Sequence, residues 1–394
     1  MNRGFLGLGI CILAMTAIIT SMFGFGRNVM VIMWPRLIDQ FGMTYSDVGN
    51  LTAIHQGAYF LGSLAAGKAA SMARPEIIIS FSTIGGGALV AAVGFTDQYT
   101  ALFLIYGALG LLIAFAWVPM VRYTALSMEK AQRVAALSIA ACGTAIGFLI
   151  NGVVIPPALA KFGVSSMWFG LGMVTMLIGL MSFIVLTWFA QPKNDLTESG
   201  IHSITADGTV PQGFPVLVFY AVLFLCGIGL VSFQTYFSAY LVEDLHFAES
   251  AAANAWIIPG ILGAFSGVFL TYIANRFTIK VTIMLCLAVL GSAFMAMAIF
   301  QSAQVAAFVA ILYGAFYFGL FGLFPAFLAN TVSERSASLI FGRANLFLGV
   351  GSVAGGVAGG KFTHYFGSFG FFWLFTTGTI VIALLLMSRI HSDA

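Results

Sequence analysis

From Phe5 to Trp34 the chain carries a single charged side chain, Arg27, and eleven further stretches are almost as bare of charge. A helix crosses about 30 Å of hydrocarbon with about 20 consecutive apolar residues, so runs of this kind constrain the fold more than any motif. Marked off by charged or turn-rich breaks, the apolar stretches fall at 6–38, 47–70, 76–95, 100–126, 134–160, 166–189, 215–241, 250–273, 279–300, 304–328, 337–361 and 367–388. Lipid offers no partner to an open backbone, so each is expected as a continuous helix. Only 7% of the 394 residues are charged, against about 25% in soluble domains. The pattern predicts an all-α membrane protein with twelve transmembrane helices. Arg3 and the apolar run behind it outline a signal peptide, but the run outlasts an h-region of about 7–15 residues and is read as the first span.

One sizeable polar break interrupts the series, from Gln191 to Gly213, rich in proline, glycine and acids. It predicts an N-terminal six-helix bundle over 1–190, a linker over 191–213 and a C-terminal six-helix bundle over 214–394. With both termini cytoplasmic, ten Lys and Arg residues fall on the inner side (Arg3, Lys68, Arg74, Lys130, Arg133, Lys193, Arg276, Lys280, Arg335 and Arg389). Three fall outside: Arg36, Lys161 and Lys361. This asymmetry is the one expected of a multi-pass protein of a cell inner membrane. The four cysteines, Cys11, Cys142, Cys226 and Cys286, all sit in apolar stretches and read as small core residues.

The two halves repeat. Leu37-Ile38-Asp39-Gln40-Phe41 matches Leu241-Val242-Glu243-Asp244-Leu245 at an offset of 204 residues. Lys161-Phe162-Gly163 faces His364-Tyr365-Phe366-Gly367, and Leu104-Ile105-Tyr106-Gly107-Ala108 mirrors Ile311-Leu312-Tyr313-Gly314-Ala315. An even number of spans between copies makes the repeat parallel, with its axis along the membrane normal.

Arg27 is the side chain this fold must explain. A guanidinium keeps its proton, and a charge at bilayer depth costs from about 3 to well over 10 kcal/mol. No acid lies within two helical turns of it, since Asp39 is about three turns away. Arg27 in a solute pathway would meet an anionic substrate; alternatively, it pairs with backbone carbonyls at a helix break beside Gly24 and Gly26. The first reading is preferred because intramembrane charges default to function. Arg343 and the following Asn345 are a second candidate contact, with snorkelling to headgroups the alternative. Arg122, in the last turn of its span, reads as structural. His55 and Tyr59 share a helix face, with Gln56 adjacent. Asn151, Gln234, Tyr236, Trp256, Tyr313 and Tyr317 complete the polar-tipped groups expected at cavity depth. There is no phosphate-cradling loop, no HExxH and no pair of carboxylates within a span, so neither enzyme chemistry nor a cofactor is expected.

Twelve spans, a polar middle and two parallel halves resemble the major facilitator superfamily over essentially the whole chain. Its loop signature after the second span has its counterpart in Gly67-Lys68-Ala69-Ala70-Ser71-Met72-Ala73-Arg74, with Ser71 where the family carries an acid. The second copy, Thr271-Tyr272-Ile273-Ala274-Asn275-Arg276, has Asn275 there. In the fifth span, Gly143-x-x-x-Gly147-Phe148 is similar to the antiporter motif, with phenylalanine in place of proline. Arg27 followed by Pro35 resembles the first span of the organic-anion carriers, and Gly24-Phe25-Gly26-Arg27 that of bacterial carriers of the YbfB/YjiJ type. The resemblance implies a secondary transporter working by alternating access, with Arg27 gripping a carboxylate, sulfonate or phosphate ester. A coupled proton or sodium ion, a lipid bilayer as solvent and a monomeric state go with it; nucleic acid does not. Export of an amphipathic compound, or a non-transporting sensor or scaffold, are the alternatives.

Overall fold

The computed structural model describes residues 3–30, 33, 37, 40–43, 45–189 and 215–390. The linker over 191–213, Pro35 and Asp39 lie outside the described residues. Helix α1 (Arg3–Ile19) continues as a π-helical segment, Thr20–Asn28; α2 is Tyr45–Met72, α3 Pro75–Val93, and α4 Tyr99–Trp117 running on through Pro119–Ser127. Helix α5 starts at Lys130–Ala141 and joins Gly143–Phe189, in which Gly163 at φ 78° separates its last part (143–162) from α6 (164–189). In the second half α7 is Val216–Cys226, a π-helical Gly227–Val231 and Ser232–Glu243. Then come α8 (Ile257–Arg276), α9 (Ile279–Phe300), α10 (Ala303–Thr331), α11 (Glu334–Phe366) and α12 (Gly370–Ser388).

Among the described residues eleven helices are long and apolar enough to cross a membrane. The expected span 47–70 is helical as α2 but is not one of the eleven. Its 28 residues include Asp47, His55, Gln56 and Lys68, and these polar side chains dilute the apolar pattern. The core is apolar and aromatic on all sides, with Phe233, Phe294, Tyr313 and Trp373 fully buried in the second half.

The halves meet at the end of the bundle where α1 starts and α12 ends, here called the terminal face. Ser63 Oγ of α2 donates to the Gly342 carbonyl of α11 at 2.7 Å, and Ser338 Oγ returns a bond to the Gly67 carbonyl at 3.4 Å. Arg133 at the start of α5 donates to Ala125 at 2.7 Å, Met128 at 3.0 Å and, across the halves, the Ala329 carbonyl. Asn330 Nδ2 answers with 3.0 Å to the Lys130 carbonyl. Where the family signature places an acid, Ser71 donates within its own helix, to the Lys68 carbonyl at 2.7 Å. The cross-half closure described here thus rests on backbone carbonyls. Removing one such bond costs about 1 kcal/mol, and leaving charge-assisted acceptors bare costs more. Arg133→Ala is therefore expected to lower the apparent melting temperature of purified protein distinctly more than Asn330→Ala, as read by thermal unfolding in detergent.

Candidate functional site: a cavity between the halves

Arg27 sits near the end of the π-helical segment Thr20–Asn28. The segment forms where α1 crosses α5 at two glycines. A Cβ on Gly24 would lie 2.8 Å from the Gly147 Cα, and one on Gly147 2.6 Å from the Gly24 Cα, so neither position admits a side chain. A π segment widens the turn and leaves carbonyls in need of partners. Asn151 Nδ2 of α5 donates to the Gly24 carbonyl at 2.9 Å, and Tyr106 OH of α4 donates to the Arg27 carbonyl at 3.5 Å.

The second half repeats this construction. Gly227-Ile228-Gly229 lies 203 residues after Gly24-Phe25-Gly26 and opens the π-helical segment of α7. Tyr313 OH of α10 donates to the Leu230 carbonyl at 3.1 Å, the counterpart of Tyr106 on Arg27. What differs is the side chain carried: a guanidinium in the first half, an isobutyl group in the second. Tyr313→Phe is expected to cost about 1 kcal/mol of stability, the value of one buried hydrogen bond. Tyr106→Phe, with the longer bond, should cost less; thermal unfolding of the two variants checks the order.

Between the halves lies a cavity of about 120 Å³. Six of the twelve candidate residues line it: Arg27, Gln56 and Tyr59 from the first half, Gln234, Tyr317 and Asn345 from the second. Arg27 is half-buried, and among the described residues no carboxylate or hydrogen-bond acceptor engages its guanidinium. Its charge acts electrostatically on Tyr59 and Tyr317, the phenols on either side of the cavity. The Ser63–Gly342, Ser338–Gly67 and Arg133–Ala329 contacts lie along the same helices toward the terminal face.

The other six candidates sit elsewhere. His55 is buried, bonded to the Tyr106 carbonyl at 2.9 Å and stacked on that ring at 4.2 Å. Asn151 is spent on the Gly24 carbonyl, and Tyr313 on Leu230. Trp256 Nε1 donates to Ser238 at 2.9 Å, and Tyr236 OH to the Gly356 carbonyl. Arg343 is exposed on the flank of α11, outside the cavity. Arg122 is turned back on α2, donating to the Ala70 and Ala73 carbonyls.

The sequence reading missed most of the wall. Nine of the twenty lining residues are aromatic, among them Phe23, Phe60, Trp117 and Phe341. Phe321 and Phe324 follow Tyr317 at i+4 and i+7, a helical stripe that was the available signal.

A model of the major facilitator superfamily matches residues 16–344 of the chain. No curated protein matches it in sequence. Among solved structures it is similar to the Escherichia coli fucose:proton symporter, at 13% identity, TM-score 0.74, over 98% of this chain and 100% of that one. It is likewise similar to the human organic anion transporter MFSD10, at 14% identity and TM-score 0.66, over 97% of each chain. The proton:xylose symporter XylE aligns at 13% identity and TM-score 0.71, over 97% of this chain and 96% of that one. These likenesses carry the fold; the family match extends from α1 into α11. With its apolar helices and its two bulged, tyrosine-capped helices at matching places, the chain is a multi-pass membrane protein belonging to the major facilitator superfamily, a family of transporters and not of enzymes.

Proposed function

We propose that the protein is a secondary active transporter that moves a small organic anion by alternating access, with Arg27 holding the anionic group. One observation carries this reading: a guanidinium without a protein partner among the described residues faces a cavity lined by both halves. Holding a bare cation at bilayer depth costs several kcal/mol, and an incoming carboxylate, sulfonate or phosphate ester offsets that cost with bidentate, charge-assisted bonds. The likeness in fold to an organic anion transporter is compatible with it.

The same proposal takes α2 as the twelfth span, both termini as cytoplasmic, the residues 191–213 as the linker between two bundles, and an inner membrane as the location. The closed terminal face is then the cytoplasmic one. Export of an amphipathic compound is the second reading, favoured by the aromatic share of the wall.

Counterflow separates the two. Proteoliposomes preloaded with an unlabelled organic acid should accumulate the labelled acid, and preloading with a neutral compound of the same shape should not support it. Equal counterflow of acid and neutral compound would remove the anion reading and leave the amphipathic one.

A further inference from the structure

We infer that the anion is a ring-sized monocarboxylate bearing one hydroxyl group, an inference that rests on the anion reading above and narrows it. The charge count comes first. Among the described residues Arg27 is the one charged side chain lining the cavity. Arg122 is held by the Ala70 and Ala73 carbonyls, and Arg343 faces outward. A second negative charge on the substrate would enter an apolar wall with no cation to meet it, and uncompensated charge is the most costly thing to bury. One arginine therefore selects a monoanion against dicarboxylates and phosphate dianions.

Size and wall chemistry come next. The cavity measures about 120 Å³ and is walled by Phe60, Trp117, Phe321 and Phe341 among others. Phenyl and indole faces prefer a second ring, offset or edge-on.

The last element is a pair of unsatisfied amides. Gln56 Oε1 and Asn345 Nδ2 are both buried without a hydrogen-bond partner, and both residues line the cavity, from α2 and α11 respectively. Asn345 is 3% exposed. Buried polar groups in native proteins are normally paired. One acceptor and one donor are what a single hydroxyl answers, since it donates once and accepts through its lone pairs. The carboxylate on Arg27 and the hydroxyl between the amides would place the ring against the aromatic wall.

Calorimetric titration of the purified full-length carrier tests this with para-hydroxybenzoate, benzoate, phthalate, succinate, lactate and para-hydroxybenzamide. The expected order puts para-hydroxybenzoate first and benzoate about threefold to tenfold weaker for want of one hydrogen bond. Phthalate, succinate and lactate should be weaker than benzoate by about tenfold or more, and the neutral benzamide should not bind measurably. Asn345→Ala should bring the ratio of para-hydroxybenzoate to benzoate affinity down to about one, an outcome that general misfolding cannot produce. Succinate, phthalate or lactate binding as tightly as the ring acids would overturn this inference while the anion reading stood. Binding of the benzamide as tightly as the acid would overturn both. Silence from both para-hydroxybenzoate and benzoate would also reject it, with lactate and succinate then reporting on the anion reading alone.

Discussion

Arg27→Ala should cut anion uptake into proteoliposomes by at least about 100-fold while the purified protein melts at the wild-type temperature or above. The first half of that expectation follows from bond strength. A hydrogen bond to a charged group contributes about 1.5–3 kcal/mol, and a guanidinium presents two to one carboxylate, so their joint loss spans two orders of magnitude or more. Arg27→Lys keeps the charge but not the planar fork, and a loss of about tenfold is expected from it. The stability half separates a binding cation from a structural one. A guanidinium that capped carbonyls would, on removal, leave acceptors bare and lower the melting temperature. The Gly24 and Arg27 carbonyls of this bulge already have partners in Asn151 and Tyr106, and the Arg27 side chain makes no ion pair or hydrogen bond with a described residue. Deleting it therefore relieves desolvation without orphaning a partner. Initial rates and melting curves on the same three preparations read both effects.

The second large effect is expected from Gly342→Val. On the terminal face α2 and α11 touch backbone to backbone: a Cβ on Gly342 would lie 2.3 Å from the Ser63 carbonyl oxygen. The obstacle is main chain and cannot rotate away, so a valine there must part the helices. Overpacking of this kind costs about 1–3 kcal/mol. Placed in one conformer only, that cost shifts an open–closed equilibrium by about 5- to 150-fold. The variant should populate a state open at the terminal face, with turnover falling because the carrier no longer completes its cycle. Spin labels at Met72 and Asn275, exposed positions on the terminal face in opposite halves, would report a longer distance than in the parent. An unchanged distance distribution would show that α2 and α11 do not gate this face.

The apolar runs and the parallel repeat were legible because lipid leaves a chain so few ways to cross it. Harder to read was which way each polar side chain points. A soluble helix announces its buried face through amphipathic period, whereas a membrane helix that is apolar all round does not. Gln234, Tyr236 and Trp256 look alike in the sequence, yet only Gln234 reaches the cavity. His55 and Tyr59 were paired by their i, i+4 spacing; Tyr59 lines the cavity while the His55 ring turns to Tyr106. Arg343 and Asn345, two residues apart, go to opposite sides of α11, as helical geometry requires of such a spacing. The Gly227-Ile228-Gly229 echo of Gly24-Phe25-Gly26 was in plain view. Its meaning depended on the second half carrying leucine where the first carries arginine, which makes the cavity asymmetric in charge and, among the described residues, leaves Arg27 as its one cation.

Whether that cation is open to solute can be measured directly by changing Arg27 to cysteine and adding a small, membrane-impermeant thiol reagent. The background is low, since Cys11, Cys142, Cys226 and Cys286 are each 0% exposed. Rapid modification of the Arg27→Cys protein from at least one side of the membrane is the predicted result. A cysteine that stays unmodified from both sides would place residue 27 in sealed packing and contradict the account.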